Sequence, residues 1–146
     1  MRYLLLAMVL AASPAVAQIK IENASARATA PGAKIAAGYM VIRNGAPAAD
    51  RLIGASSPAA EKVETHVTLK DGDVFRMREV KGYDIPAGGS FELKPGGAHL
   101  MFVNIKAPFK EGAKVPLTLR FERSGEVKTE LNVGRLTGGP PEHKMH

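Results

Sequence analysis

The sequence predicts an all-β domain, a barrel or sandwich of about eight or nine short strands. Three observations predict it. No stretch of ordinary helix length carries a helical apolar period. The 15 glycines and 10 prolines are spread along the 146 residues and divide the chain into short segments joined by turns. Near the C-terminus, Val115, Leu117, Leu119 and Phe121 alternate with Pro116, Thr118, Arg120 and Glu122, and after Ser124-Gly125 the pattern returns in Val127, Thr129, Leu131 and Val133. Such alternation marks strands with one buried face. The length suits one domain with a sizeable core, and a hydrophobic content of 45% is ordinary for such a domain.

The chain opens with residues 1–17, which read as a secretory signal peptide. Arg2 supplies the positive charge, Tyr3 to Ala12 a short apolar run, and Ala15-Val16-Ala17 a small-x-small cleavage site. The run is too short to span a bilayer, and no later stretch is long and apolar enough to do so. The mature chain is expected to start at Gln18 and to be exported, with the bacterial periplasm as the simplest compartment.

Gln18 to Glu22 alternates and reads as the first strand. Ala24 to Ala33 is small, polar and interrupted by Pro31-Gly32, and reads as irregular. Ile35 to Arg43 is an apolar strand ending at the turn signal Asn44-Gly45. Met40 within it is expected to fill core space. Arg51 to Ala55 is a strand leading to Ser56-Ser57-Pro58. Glu61 to Thr68 alternates, with Val63, Thr65 and Val67 on one face and Lys62, Glu64, His66 and Thr68 on the other. His66 is therefore placed on the polar face. Asp71-Gly72 predicts a hairpin turn, with Val74 to Val80 as the return strand. Ile85 to Gly89 reads as a turn, Phe91 to Lys94 as a short strand, Pro95-Gly96-Gly97 as a turn and His99 to Ile105 as a strand. The β-domain is expected over 18–135. A flexible tail is expected over 136–146, after Gly138-Gly139-Pro140-Pro141.

The formal charge is +6 and the pI about 9.7. The basic residues are scattered and aromatics make up only 5%, so no stacking platform or cationic stripe points to nucleic acid. Cysteine is absent, which excludes disulfides and thiolate sites. No Gly-x-Ser-x-Gly or thiol nucleophile is present, and no enzymatic activity is expected.

Within this frame His66, Met77, His99 and Met101 form a candidate metal site. The chain has four histidines, and two of them lie here. Leaving aside Met1 and Met8 of the signal peptide, four of the six methionines remain, and three stand beside histidines. The predicted hairpin puts His66 and Met77 on neighbouring strands. His99 and Met101 are two apart and point to one face. Singly, each reads more simply as a surface histidine or a packing methionine; together they form a cluster that the strands can bring to one place. Imidazole with thioether and no thiol suits copper, Cu(I) in particular. Blue-copper electron transfer needs a cysteine, and methionine is a poor zinc ligand. An iron site with two histidines and one carboxylate would take Glu64 as its acid, but it would leave Met77 and Met101 unexplained.

These residues resemble the signature of the periplasmic copper chaperones of the PCuAC type, in which His, ten residues, Met, twenty-one residues and His-x-Met follow in order, a spacing met here by His66, Met77, His99 and Met101. Flanking segments are similar too, among them Gly38-Tyr39-Met40, Asp50-Arg51-Leu52, Val63-Glu64-Thr65-His66 and Leu93 to Met101; the resemblance runs from about Ile19 to Val133. It implies a cupredoxin-like β-barrel binding one Cu(I) through two His and two Met. It also implies delivery toward the binuclear copper site of cytochrome c oxidase, to its copper-site subunit directly or alongside a Sco-type thiol protein. Two positions depart from the family. Ser25 stands where many relatives carry Trp, and Val67 where some carry an extra Met. The alternative is a periplasmic copper buffer or resistance protein without a dedicated acceptor. In the tail, His143, Met145 and His146 are candidates for a second copper ion, Cu(II) in particular. A monomer is expected.

Overall fold

The computed structural model describes residues 18–135. The expected signal peptide and tail, with His143, Met145 and His146, lie outside the described residues. Ten strands follow in chain order: β1 (Ile19–Arg27), β2 (Ile35–Asn44), β3 (Asp50–Ser56), β4 (Ala60–Asp71), β5 (Val74–Glu79), β6 (Tyr83–Ile85), β7 (Ser90–Leu93), β8 (Ala98–Ile105), β9 (Lys114–Phe121) and β10 (Gly125–Gly134). No helix is present among the described residues.

Seven strands close into a barrel in the order β4-β8-β2-β1-β10-β9-β3, with β3 returning to β4 through the pair Ala55↔Val63. β1 and β10 run parallel, and the other pairings are antiparallel. Three strands lie outside this ring: β5 extends β4, β6 extends β3, and β7 extends β2 beyond the reach of β8. The all-β barrel expected from the sequence is therefore present. The inner alternation places Met40, Ile42, Leu52, Leu100, Phe102, Leu117, Leu119, Phe121 and Leu131 out of solvent. Each fully buried side chain of this size contributes about 1.5–3 kcal/mol.

The sequence reading needs four corrections. β6, Tyr83–Ile85, lies where the sequence predicts no strand; only three residues long, it carries no readable period and is set by pairing with β3. β1 runs on to Arg27 through a segment expected to be irregular, because a bulge between Glu22 and Ser25, with Asn23 at φ 52°, shifts the register and lets pairing resume. The hairpin turn is Gly72-Asp73 rather than Asp71-Gly72: Asp71 still pairs with Val74, and Gly72 takes the positive φ of 61° at the first turn position. His66 leaves β4 on the face opposite Val63 and Thr65, as expected, but it is buried, because neighbouring strands cover the outer surface there.

Gly82 has a structural duty that its sequence context hides. A Cβ there would stand 2.2 Å from the Leu52 carbonyl oxygen, a backbone atom that cannot rotate away. The absence of a side chain lets the chain pass close to β3 and deliver Tyr83 into the core. Gly82→Ala is expected to lower unfolding free energy by about 1–3 kcal/mol, as overpacking does, and urea denaturation checks it.

Acid should also loosen this end of the barrel. Burial of the Asp50 carboxyl pushes its pKa up, but hydrogen bonds from the Ser124 hydroxyl and the backbone N–H groups of Arg123, Arg51 and Ser124 outweigh burial and hold it below its ordinary value. A depressed carboxylate stabilises the fold above its unfolded pKa and loses that contribution as pH falls through the folded one. Asp50→Asn is therefore expected to destabilise the protein at neutral pH and to shrink its loss of stability in acid, measured by denaturant melts across pH.

Candidate metal centre

Two register points on the outer face of the barrel assemble the site. β4 and β8 pair so that His66 stands directly opposite His99 and Glu64 opposite Met101. Because side chains alternate along strands, these four share one face. β5 adds Met77 opposite Thr68 and Glu79 opposite His66, again on that face. On the far side of β8, Ala37 stands opposite Met101; its small side chain leaves space above the thioether. His66 and His99 are 8% and 4% exposed, while Met77, on the edge strand, is 65% exposed. The two imidazole rings lie 5.6 Å apart between centroids and are tilted by 32°.

The hydrogen bonds of these rings set their tautomers. His66 Nε2 is 2.8 Å from a Glu64 carboxylate oxygen. An ionised carboxylate only accepts, so Nε2 carries the proton and donates. His99 Nδ1 lies 3.3 Å from the Gly97 carbonyl oxygen, which likewise only accepts. Each ring thus commits one nitrogen to an acceptor. The other nitrogens, His66 Nδ1 and His99 Nε2, are buried and have no hydrogen-bond partner. A buried polar atom without a partner costs about 1–3 kcal/mol, so it calls for a reason. Metal-ligating histidines show this same division, one nitrogen held by an acceptor and the other left for the ion.

Glu64 is itself fixed. The hydrogen bond from His66, and then that from Lys62 at 2.9 Å, hold its carboxyl down at about 2. It therefore stays charged at any ordinary pH and keeps accepting from Nε2. Below the pair, the buried Tyr83 hydroxyl lies 2.5 Å from the His66 carbonyl oxygen and 2.7 Å from that of His99. The phenol joins the two backbones that carry the rings. Burial pushes it up to about 12, so it remains a donor.

Beside His99 opens a cleft of about 590 Å³, lined in part by Ile35, Thr68, Phe75, Met77, His99 and Met101, with His66 behind its wall. Its rim is apolar, and Phe75 and Met77 both expose 65% of their surface. The structure thus brings His66, His99 and Met101 onto adjacent strands, with Met77 at the edge of the same cleft. Met40 is a core residue at 1% exposure, as its sequence context implied. Sequence reasoning missed Glu79 and Tyr83. The turn expected at Asp71-Gly72 sets Met77 opposite His66; only the turn at Gly72-Asp73 sets Glu79 there and Met77 opposite Thr68, and nothing local announces Tyr83.

Known proteins are similar to this chain in sequence and fold. The LpqE-like lipoprotein family model matches residues 19–133. Lxx21020 of Leifsonia xyli subsp. xyli, named as a lipoprotein, is 30% identical over 125 residues, covering 85% of this chain and 75% of that protein. Among solved structures, the copper-bound PCuAC domain from PmoF2 superposes with a TM-score of 0.70 at 30% identity, covering 81% of this chain and 93% of that one. The Cu(I) form of DR1885 from Deinococcus radiodurans gives 0.63 at 28% identity, covering 78% and 76%.

Burial lowers the His99 pKa below its ordinary 6.5, with the Gly97 hydrogen bond opposing and the nearby His66 adding to the effect. The unfolded chain then binds the proton more readily than the folded one. Stability of the metal-free protein is expected to fall as pH drops below that ordinary value toward the folded one. Urea melts of the wild type and of His99→Gln should differ in slope across that window, the variant being flatter.

Glu64→Ala should leave Nε2 without its acceptor and weaken metal binding by about 10–100-fold, the range for loss of an orienting partner, as read by competition titration. On these findings the chain belongs to the LpqE-like family and carries a PCuAC domain.

Proposed function

We infer that the chain is an exported copper chaperone that holds one Cu(I) between His66, His99, Met77 and Met101 and hands it to an acceptor. The observation that carries this reading is the pair of buried imidazole nitrogens without partners, on two residues paired across β4 and β8, one of which, His99, lines a cleft with two thioethers. Two neutral imidazoles and two neutral thioethers form a soft set suited to Cu(I). The copper-bound PmoF2 domain and the Cu(I) form of DR1885 support copper as the cargo. The lipoprotein name of the family and of Lxx21020 supports export, with the periplasm as the compartment. Among the described residues no helix is long and apolar enough to cross a membrane.

The same arrangement suits release. His66 and His99 are fixed by buried contacts, whereas Met77 stands on the exposed edge strand. An incoming ligand meets Met77 first and can take its place without opening the barrel. Acceptor thiolates bind Cu(I) more strongly than thioethers, so exchange runs forward. The acceptor proposed is the copper-site subunit of cytochrome c oxidase, reached directly or alongside a Sco-type thiol protein.

Replacing both thioethers, Met77→Leu with Met101→Leu, should abolish Cu(I) binding while leaving the fold intact, measured by competition with a chromophoric Cu(I) chelator and by circular dichroism. Retention of full affinity contradicts the ligand set. Deleting the gene should lower cytochrome oxidase activity at low copper; loss of survival at high copper with normal oxidase would instead favour buffering.

A further inference from the structure

One wall of the cleft carries a charge that nothing around it answers. Arg27, the last residue of β1, lines the cleft. Its Nε is buried and has no hydrogen-bond partner, and among the described residues its guanidinium makes no ion pair. A buried donor without an acceptor is costly, so it calls for a reason. None of the residues lining the cleft is acidic. Glu64, in the same row across the sheet, is already engaged by His66 and Lys62.

Register explains the setting. Ala26 faces the core, so Arg27 leaves the outer face of the barrel, which also carries the candidate metal ligands. Arg27 pairs with Gly134 on one side, and the pairing of Ala26 with Gly38 sets it beside Ala37 on the other. Neither neighbour has a side chain large enough to cover the guanidinium. Ala37 in turn pairs with Met101. Arg27 therefore stands two strand spacings, about 10 Å, from Met101 along the sheet, with only a methyl group between them. Tyr39 lines the same cleft from β2, opposite Ser25. Burial pushes its pKa up and the Arg27 charge draws it back only in part, so the hydroxyl keeps its proton and can donate.

We propose that Arg27, with the Tyr39 hydroxyl, forms a carboxylate-binding subsite in this cleft, and that its ligand is a small free organic acid with an apolar body. A guanidinium presents parallel N–H donors that match a carboxylate, and its charge strengthens each bond. Tyr39 adds a further donor. From that anchor the body of the ligand lies over Ala33 and Ile35, toward Met101. A cleft of about 590 Å³ with an apolar lining and a few polar groups has the size and character of a small-molecule site. The subsite uses none of the candidate metal ligands, and it stands whether or not they hold copper.

The test titrates the metal-free full chain with sodium butyrate and follows its signals by nuclear magnetic resonance, with sodium chloride at equal ionic strength as the control for screening. Saturable shifts at Arg27, Tyr39 and Met101 are expected with butyrate and not with chloride. Acetate is expected to bind more weakly, since it lacks the apolar body. Arg27→Gln should weaken butyrate about tenfold or more, the loss of hydrogen bonds to a charged group, and Tyr39→Phe about threefold to tenfold. Arg27→Lys keeps the charge without the fork and should fall between wild type and Arg27→Gln. Circular dichroism checks the fold of each variant, and Arg27→Lys carries the comparison if Arg27→Gln does not fold. Equal butyrate affinity in wild type and the Arg27 variants overturns the proposal, as do shifts that chloride reproduces or that never saturate. An acidic peptide that saturates the cleft where butyrate does not overturns the choice of a free acid. Failure to bind copper would count against the chaperone reading and leave this one standing, because the titration needs no metal.

Discussion

The pairing of His66 with His99 across β4 and β8 is the constraint on which the rest depends. Side chains alternate along a strand, so a one-residue slip of either strand would turn its imidazole into the barrel and bring Thr65 or Leu100 out. The barrel prevents that slip. Leu100 and Phe102 are fully buried in the core, and β8 is held on both sides, by β4 and by β2. Gly38 on β2 packs tightly against the core: a Cβ would stand 3.0 Å from the Phe102 ring and 3.1 Å from Leu131, so those side chains would have to give way. Close packing inside the barrel thus fixes the position of the candidate ligands outside it. The Tyr83 hydroxyl fixes the same register from within, by reaching the carbonyls of both histidines.

Two rings placed in this way still need the correct nitrogen exposed to the ion. A carboxylate on one ring and a backbone carbonyl on the other hold one proton each in a fixed place. The remaining nitrogens are left without partners in a region that excludes water. The fold bears an unfavourable term there, about 1–3 kcal/mol for each unsatisfied group, which a bound ion would relieve. Function and stability are therefore set against each other at one spot. The rigid part of the site lies on the barrel, and the thioether of Met77 lies on the exposed edge strand β5. That division fits a carrier, which must hold its ion in a defined geometry and yet let it go.

Much of this was legible in the sequence. Alternation in Val115 to Phe121 and Val127 to Val133 gave two strands because each has one wet and one dry face. His99 and Met101 share a face because the strand period is two. The spacing of His66 and Met77 about a glycine-containing turn placed them on adjacent strands. Other features were not readable, for physical reasons. β6 is too short for periodicity and exists through its pairing with β3. The bulge in β1 hides inside a segment rich in small residues. The burial of His66 depends on β5 and β8, which lie far along the chain, so a polar face read locally looks solvated. Tyr83 acts on both histidine carbonyls from a distant strand, and Glu79 enters only once the turn is placed at Gly72-Asp73.

The central claim is that both imidazoles and both thioethers bind one Cu(I). X-ray absorption at the copper edge of the Cu(I)-loaded full chain tests this most directly. The account predicts a first shell of two nitrogen and two sulfur scatterers, with one sulfur lost in each of Met77→Leu and Met101→Leu. A first shell of nitrogen and oxygen alone, or a shell unaltered by both substitutions, would contradict it.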